Sequence, residues 1–173
     1  MRSIVCAAIA ALCFSAPAMA QSAAKPTDPQ IAHIAYTAGQ IDIEAAKQAL
    51  KKSKNKDVRV FAEDMVKDHS AVNKQALALV KKLKVKPQDN PTSQALTKQA
   101  AAKRAEFAKL NGAAFDKAYV DNEVAYHKTV NAALKDTLIP DAQNPELKSL
   151  LQSGLTLFQA HLEHAETLAK QLQ

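Results

Sequence analysis

Five polar side chains stand where an amphipathic helix is expected to carry Leu or Val: Asp42, His69, Glu123, His127 and His161. A buried imidazole or carboxylate is costly unless it is paired or binds a metal. Three imidazoles with two carboxylates form a donor set for one transition-metal ion, and zinc, copper, nickel and iron all suit it. Two other readings stay open: a metal-free interaction or stress protein whose polar cluster only fixes helix register, and a metal-dependent oxidoreductase. No catalytic motif supports the oxidoreductase, since the chain has no glycine-rich phosphate loop and no serine-nucleophile signature.

Each residue advances about 100° around a helix, so the buried stripes can be placed from the sequence. On the first helix Ile31, Ala35, Ala38, Ala45 and Ala49 align, with Asp42 as the missing member, while Glu44 and His33 point away. On the second, Val58, Ala62, Met65, Val72, Ala76, Leu79 and Leu83 continue through His69, with Asp68 on the flank. Met65 reads as core packing, although its thioether, one turn from His69, is also a donor for a soft metal such as copper. The third turns Val120, Glu123, His127, Val130 and Leu134 inward, flanked by Tyr119. The fourth aligns Leu147, Leu150, Gly154, Leu157, His161, Ala165, Leu168 and Leu172, with His164 at the edge and Glu163 facing solvent. Asp68, Tyr119 and His164 are thus candidates for holding the ligands from outside. Asp42 and His69 are nearly equidistant from the turn at Asn55, and Glu123 and His161 from the second turn. Two aligned hairpins therefore bring all five groups to mid-bundle, where helical bundles build metal sites.

The elements that must position them are marked by their punctuation. Asp28 as N-cap and Pro29 begin a helix running to about Ser53, and a second spans about Lys56 to Lys84. Pro87 and Pro91 interrupt the chain, and an Ala-rich connecting helix covers Thr92 to Leu110 before Asn111-Gly112. The third main helix spans about Ala113 to Leu138 and stops at Ile139-Pro140, while Asn144-Pro145 starts the fourth. Abundant Ala, Leu, Lys and Gln with three glycines, no Trp and no strand-like alternation predict an all-α four-helix bundle. An extra helix occupies the long connection between helices 2 and 3.

Residues 1–20 read as a cleaved signal peptide: Arg2, an apolar stretch from Ile4 to Phe14, and the small-x-small site Ala18-Met19-Ala20. Cleavage after Ala20 predicts a periplasmic product, with residues 21–27 as a flexible linker and 28–173 as one domain. Both cysteines, Cys6 and Cys13, lie in the removed segment, so disulfides and thiolate ligands are excluded from the mature domain. The net charge of +6 is concentrated at Lys51, Lys52, Lys54 and Lys56 and at Lys81, Lys82, Lys84 and Lys86. These read as solvated faces, because no stacking aromatics are interleaved with them, which argues against nucleic acid as a partner. No segment of the mature chain is apolar enough to span a membrane, and the sequence does not specify an oligomeric state.

Several segments together resemble a known family. Phe61-Ala62, Met65-Val66 and Asp68-His69 resemble its FA-x-x-MV-x-DH signature. Gly112, Phe115-Asp116 and Tyr119 are similar to its G-x-x-FD-x-x-Y. Asn122-Glu123-Val124-Ala125-Tyr126-His127, Leu138-Ile139-Pro140 and His161-Leu162-Glu163-His164-Ala165 follow in order. On these motifs the chain resembles the exported bacterial domain of unknown function 4142 family, which implies a ferritin-like fold and no established activity. Di-iron ferritin-like sites use Glu-x-x-His on two helices. Here Val66, Val124 and Phe158 stand three residues before His69, His127 and His161, so a mononuclear centre is expected rather than a di-iron oxidase.

Overall fold

Thr27 caps the first helix, with its backbone N–H donating to Gln30 Oε1 at 3.0 Å. The expected cap, Asp28, is instead the first helical residue, and its two carboxylate oxygens accept the N–H groups of Gln143 and Asn144, both at 2.8 Å. It thus fastens the start of the bundle to its last loop. The computed structural model describes residues 25–173, so the signal segment and residues 21–24 of the linker lie outside the described residues. The described residues form helices joined by short loops: α1 (Asp28–Lys52), α2 (Lys56–Lys82), α3 (Pro91–Ala108), α4 (Gly112–Ala133), a π-helical turn (Leu134–Leu138), α5 (Ile139–Asp141) and α6 (Pro145–Gln171). None is long and apolar enough to cross a membrane.

Local chemistry explains these boundaries. Asn55 Oδ1 accepts from the N–H of Asp57 and Val58 to start α2, and Asn144 Oδ1 accepts from Glu146 and Leu147 to start α6. α2 ends two residues before the expected Lys84, which has φ of 54°. The chain does not stop at Ile139-Pro140 but stays helical to Asp141. Proline has no N–H to give the preceding turn, and the wider π turn just before it, with the Ile139 N–H bonded to Leu134, carries the helix past that gap.

α1 and α2 form one antiparallel hairpin and α4 and α6 another, with α2 packed on α6 and α1 on α4. α3 runs back along the outside of α1, from Asn90, which donates to Gln30 O, to Ala108, whose carbonyl accepts from Lys52 Nζ. Two apolar clusters fill the bundle. Near the α1–α2 turn are Val58, Phe61, Met65, Phe107, Phe115, Tyr119 and Leu168, and near the α5–α6 loop are Ile31, Ile34, Leu134, Leu138, Leu147, Leu151 and Phe158. The buried stripe of α6 is Leu147, Leu151, Gly154, Phe158, His161, Ala165 and Leu168. The expected Leu150 and Leu157 are only half-buried, because adjacent apolar residues at 150/151 and 157/158 allow either phase and the bulkier Phe158 takes the interior.

Candidate metal centre

Between the two apolar clusters the helices bring Asp42, His69, Glu123, His127 and His161 together, each no more than 5% exposed. The approach of α1 to α2 beside the centre depends on Gly39: a Cβ there would collide with Asn73 Oδ1. Asn73 fills that space and donates to Gln40 Oε1 at 3.2 Å. Asp42 Oδ2 lies 3.3 Å from His69 Nε2 and 3.5 Å from His127 Nε2. His69, His127 and His161 can each offer a nitrogen within 4.8 Å of the others, and Asp42, Glu123 and His127 form a second trio of the same compactness. Donors placed 2.0–2.1 Å from a tetrahedral ion stand about 3.4 Å apart, which the distances from Asp42 to His69 and to His127 match, and His127 belongs to both compact trios.

Hydrogen bonds leave donor lone pairs aimed at the centre. His127 Nδ1 is 3.0 Å from the Glu123 carbonyl, which can only accept. Nδ1 therefore carries the proton, and Nε2 is a bare lone pair. His161 Nε2 donates to Asp68 Oδ2 at 3.1 Å, which leaves its buried Nδ1 bare. A carboxylate behind an imidazole is the arrangement that orients histidine ligands in metal proteins. Among the described residues, twelve buried side-chain nitrogen and oxygen atoms have no hydrogen-bond partner in the protein, and eight of them belong to these five residues. At about 1–3 kcal/mol for each unmet buried group, the total is on the order of 10 kcal/mol, comparable with the whole stability of a domain. A buried water or an ion between these side chains can satisfy such groups.

Burial also sets the charges. It pushes Asp42 up to about 8, and pushes Glu123 well above the usual carboxylate range, where the charge of Asp42 adds to the shift. It lowers His69 well below the usual imidazole range, with His127 and His161 adding to the effect, and lowers His127 to about 4. His161 is also lowered by burial, against the opposing pull of Asp68. The short His–Asp separations are therefore not ion pairs at neutral pH, because desolvation outweighs their attraction. The centre is a neutral set of bare imidazoles and protonated carboxyls, and a cation entering it would displace protons.

The residues expected to support the ligands separate in the structure. Asp68 bonds His161, as described. Tyr119 is fully buried, stacked on Phe115 at 6.2 Å with its hydroxyl unpaired, and burial with the nearby Glu123 and Asp42 charges raises it well above the usual phenol range. His164 is exposed, with its ring edge on Phe61 at 5.1 Å, and belongs to none of the compact donor groups. His33 is not on a free outer face: its Nδ1 lies 3.0 Å from Ser93 Oγ, because α3 covers that side of α1. Two neighbours were not expected from the sequence. Phe158 stacks on His69 with centroids 4.5 Å apart and planes at 10°, and Tyr126, beside His127, donates from its hydroxyl to Ala38 O at 2.8 Å. An aromatic on a helix carries no ligand signature, so only its one-turn spacing from a histidine could have marked it.

A solved structure, "CopM in the Cu(II)-bound form", superposes with a TM-score of 0.65 over 84% of this chain and 98% of that one. The two are 14% identical, so the likeness is one of fold. No curated protein matches the chain. The helical order, the buried histidine–carboxylate cluster and the ordered motifs agree with a match to one family over residues 13–168, and the chain belongs to that family, the domain of unknown function DUF4142.

Proposed function

We propose that this protein is an exported, periplasmic ferritin-like bundle that binds one transition-metal ion at mid-bundle and serves metal handling or envelope stress. The observation that carries the reading is the convergence of eight unpaired buried nitrogen and oxygen atoms on five residues from four helices. Asp42, His69, His127 and His161 would hold the ion. Glu123, also buried with both oxygens unpaired, would be a further ligand, giving up its proton on binding, or would keep that proton beside the ion. Asp68 fixes the ring of His161, and the Glu123 carbonyl fixes that of His127. The path of α3 outside α1 supports the ferritin-like part of this reading, since such bundles carry one long crossover connection. Export rests on the residue pattern of 1–20.

Copper heads the candidates, ahead of zinc, nickel and iron. Imidazoles with a carboxylate suit Cu(II), and the protein of similar fold was solved with that ion. The bound ion would supply positive charge where the carboxyls otherwise keep their protons. The test is the metal content of untagged protein purified from the periplasmic fraction. About one transition-metal ion per chain is expected. Metal-free protein that stays metal-free after exposure to each of the four ions would leave the polar cluster as a structural network.

A further inference from the structure

We propose that the half of the bundle nearest the α5–α6 loop is a binding site for a single-chain anionic amphiphile, of the chemistry of a medium-chain fatty acid. This goes beyond the metal reading and does not depend on it. A cavity of about 640 Å³ lies there, within the range of small-molecule sites. Its walls include Ile34, Val72, Leu79, Val130, Leu151 and Phe158. Val72, Leu79 and Val130 belong to inward stripes yet stay only partly buried, because the small residues that share the lining, Ala35 and Ala38 on α1, Ala76 on α2 and Gly154 on α6, leave the space between the helices unfilled.

Shape and polarity select the ligand. Along α6 the lining runs from Leu147 to Phe158, eleven residues or about 16 Å. That length suits an extended chain on the order of a dozen carbons, and each buried methylene contributes about 0.8 kcal/mol. The few polar side chains in its lining include Lys25 and Asp141, which are paired with each other. Lys25 is the cation of the lining, with its ammonium exposed to solvent and 2.8 Å from Asp141 Oδ1, and an anionic head group would compete with Asp141 for it. At the inner end Phe158 closes the slot, and its ring stacks on His69, so the ligand is separated from the histidines by an aromatic wall.

The test is calorimetric titration of the untagged, exported protein with laurate and with dodecanol. Laurate is expected to bind one per chain in the micromolar range. Ala35→Phe and Ala76→Phe, which fill the slot from two different helices, should each weaken it at least tenfold while leaving helical circular dichroism and metal binding unchanged. If Ala35→Phe does not fold, Ala76→Phe decides alone. Lys25→Ala should weaken laurate several-fold more than dodecanol. Absence of saturable laurate binding to the wild type overturns the proposal, whether residues 21–24 or a second copy of the chain fills the slot instead. Wild-type affinity in a folded Ala76→Phe variant overturns the location, and equal losses of laurate and dodecanol in Lys25→Ala overturn the anionic head group.

Discussion

The two halves of this bundle continue the same four helices but fill their interiors differently. Toward the α1–α2 turn, Phe61, Phe107, Phe115 and Tyr119 interlock edge-on and stacked, with centroids 6.1–6.5 Å apart, and Val58, Met65 and Val120 are fully buried. Toward the α5–α6 loop the stripes are mainly aliphatic, four small residues from three helices share the lining, and a slot of about 640 Å³ remains. Side-chain volume at matching stripe positions, rather than helix pattern, determines whether the interior closes. The polar centre lies at the boundary, with the rigid aromatic packing on one side and Phe158 on the other. The five polar side chains are thus held in place from the closed half.

The largest effect should come from breaking the closed half. Phe61→Ala is expected to cost about 3–5 kcal/mol in denaturant titrations, whereas Leu79→Ala, on the slot wall, should cost less than about 1.5 kcal/mol. Equal losses would mean that the slot is as well packed as the aromatic cluster. Leu134→Ala, buried at the loop end, belongs with the large losses at about 2–5 kcal/mol, and half-buried Leu157→Ala falls below it.

The boundary itself is tested by pH. Because burial raises Asp42 to about 8 and raises Glu123 as well, the folded protein holds carboxyl protons that the unfolded chain has released, so their contribution to stability is lost as pH rises through that range. The three histidines act oppositely: their lowered values make stability rise with pH up to the ordinary imidazole range, about 6.5, and add nothing above it. Metal-free protein should therefore lose stability between about pH 7 and 8, and Asp42→Asn should flatten that slope. Thermal melts across the interval check it, and a slope unchanged in Asp42→Asn would remove that carboxyl from the account. Metal affinity should rise over the same interval as the competing protons leave.

Smaller effects are expected at the outer layer. His33→Ala removes the contact to Ser93 that helps to hold α3 on α1, and should cost about 0.5–1.5 kcal/mol without altering metal binding. Glu163→Ala, at an exposed site, should stay within about 0.5 kcal/mol of wild type in the same titrations.

The convergence of the five polar groups was legible in the sequence because each broke an apolar stripe of period 3.6, and turn positions fixed their depth. The cap chemistry at Asn144 was legible for similar reasons. At α1 the neighbouring Thr27 and Asp28 both satisfy the capping preference, and only the distant Gln143–Asn144 backbone determines which one caps. The phase of α6 was ambiguous where Leu150, Leu151, Leu157 and Phe158 offered two stripes, and this obscured the ring that stacks on His69. The slot was not legible at all, since a cavity arises from small residues on several helices meeting at one level, and no single segment records that.

The central claim is that Asp42, His69, His127 and His161 share one ion. Its most direct test is calorimetric titration of the untagged protein with Cu(II), Zn(II), Ni(II) and Fe(II), in wild type and in the separate variants His69→Ala and His161→Ala. The expected result is one high-affinity ion per wild-type chain and loss of stoichiometric binding in both variants, although the two residues lie on different helices and more than ninety positions apart. Wild-type stoichiometry in either folded variant, or no binding of any of the four ions at micromolar concentration, would contradict it.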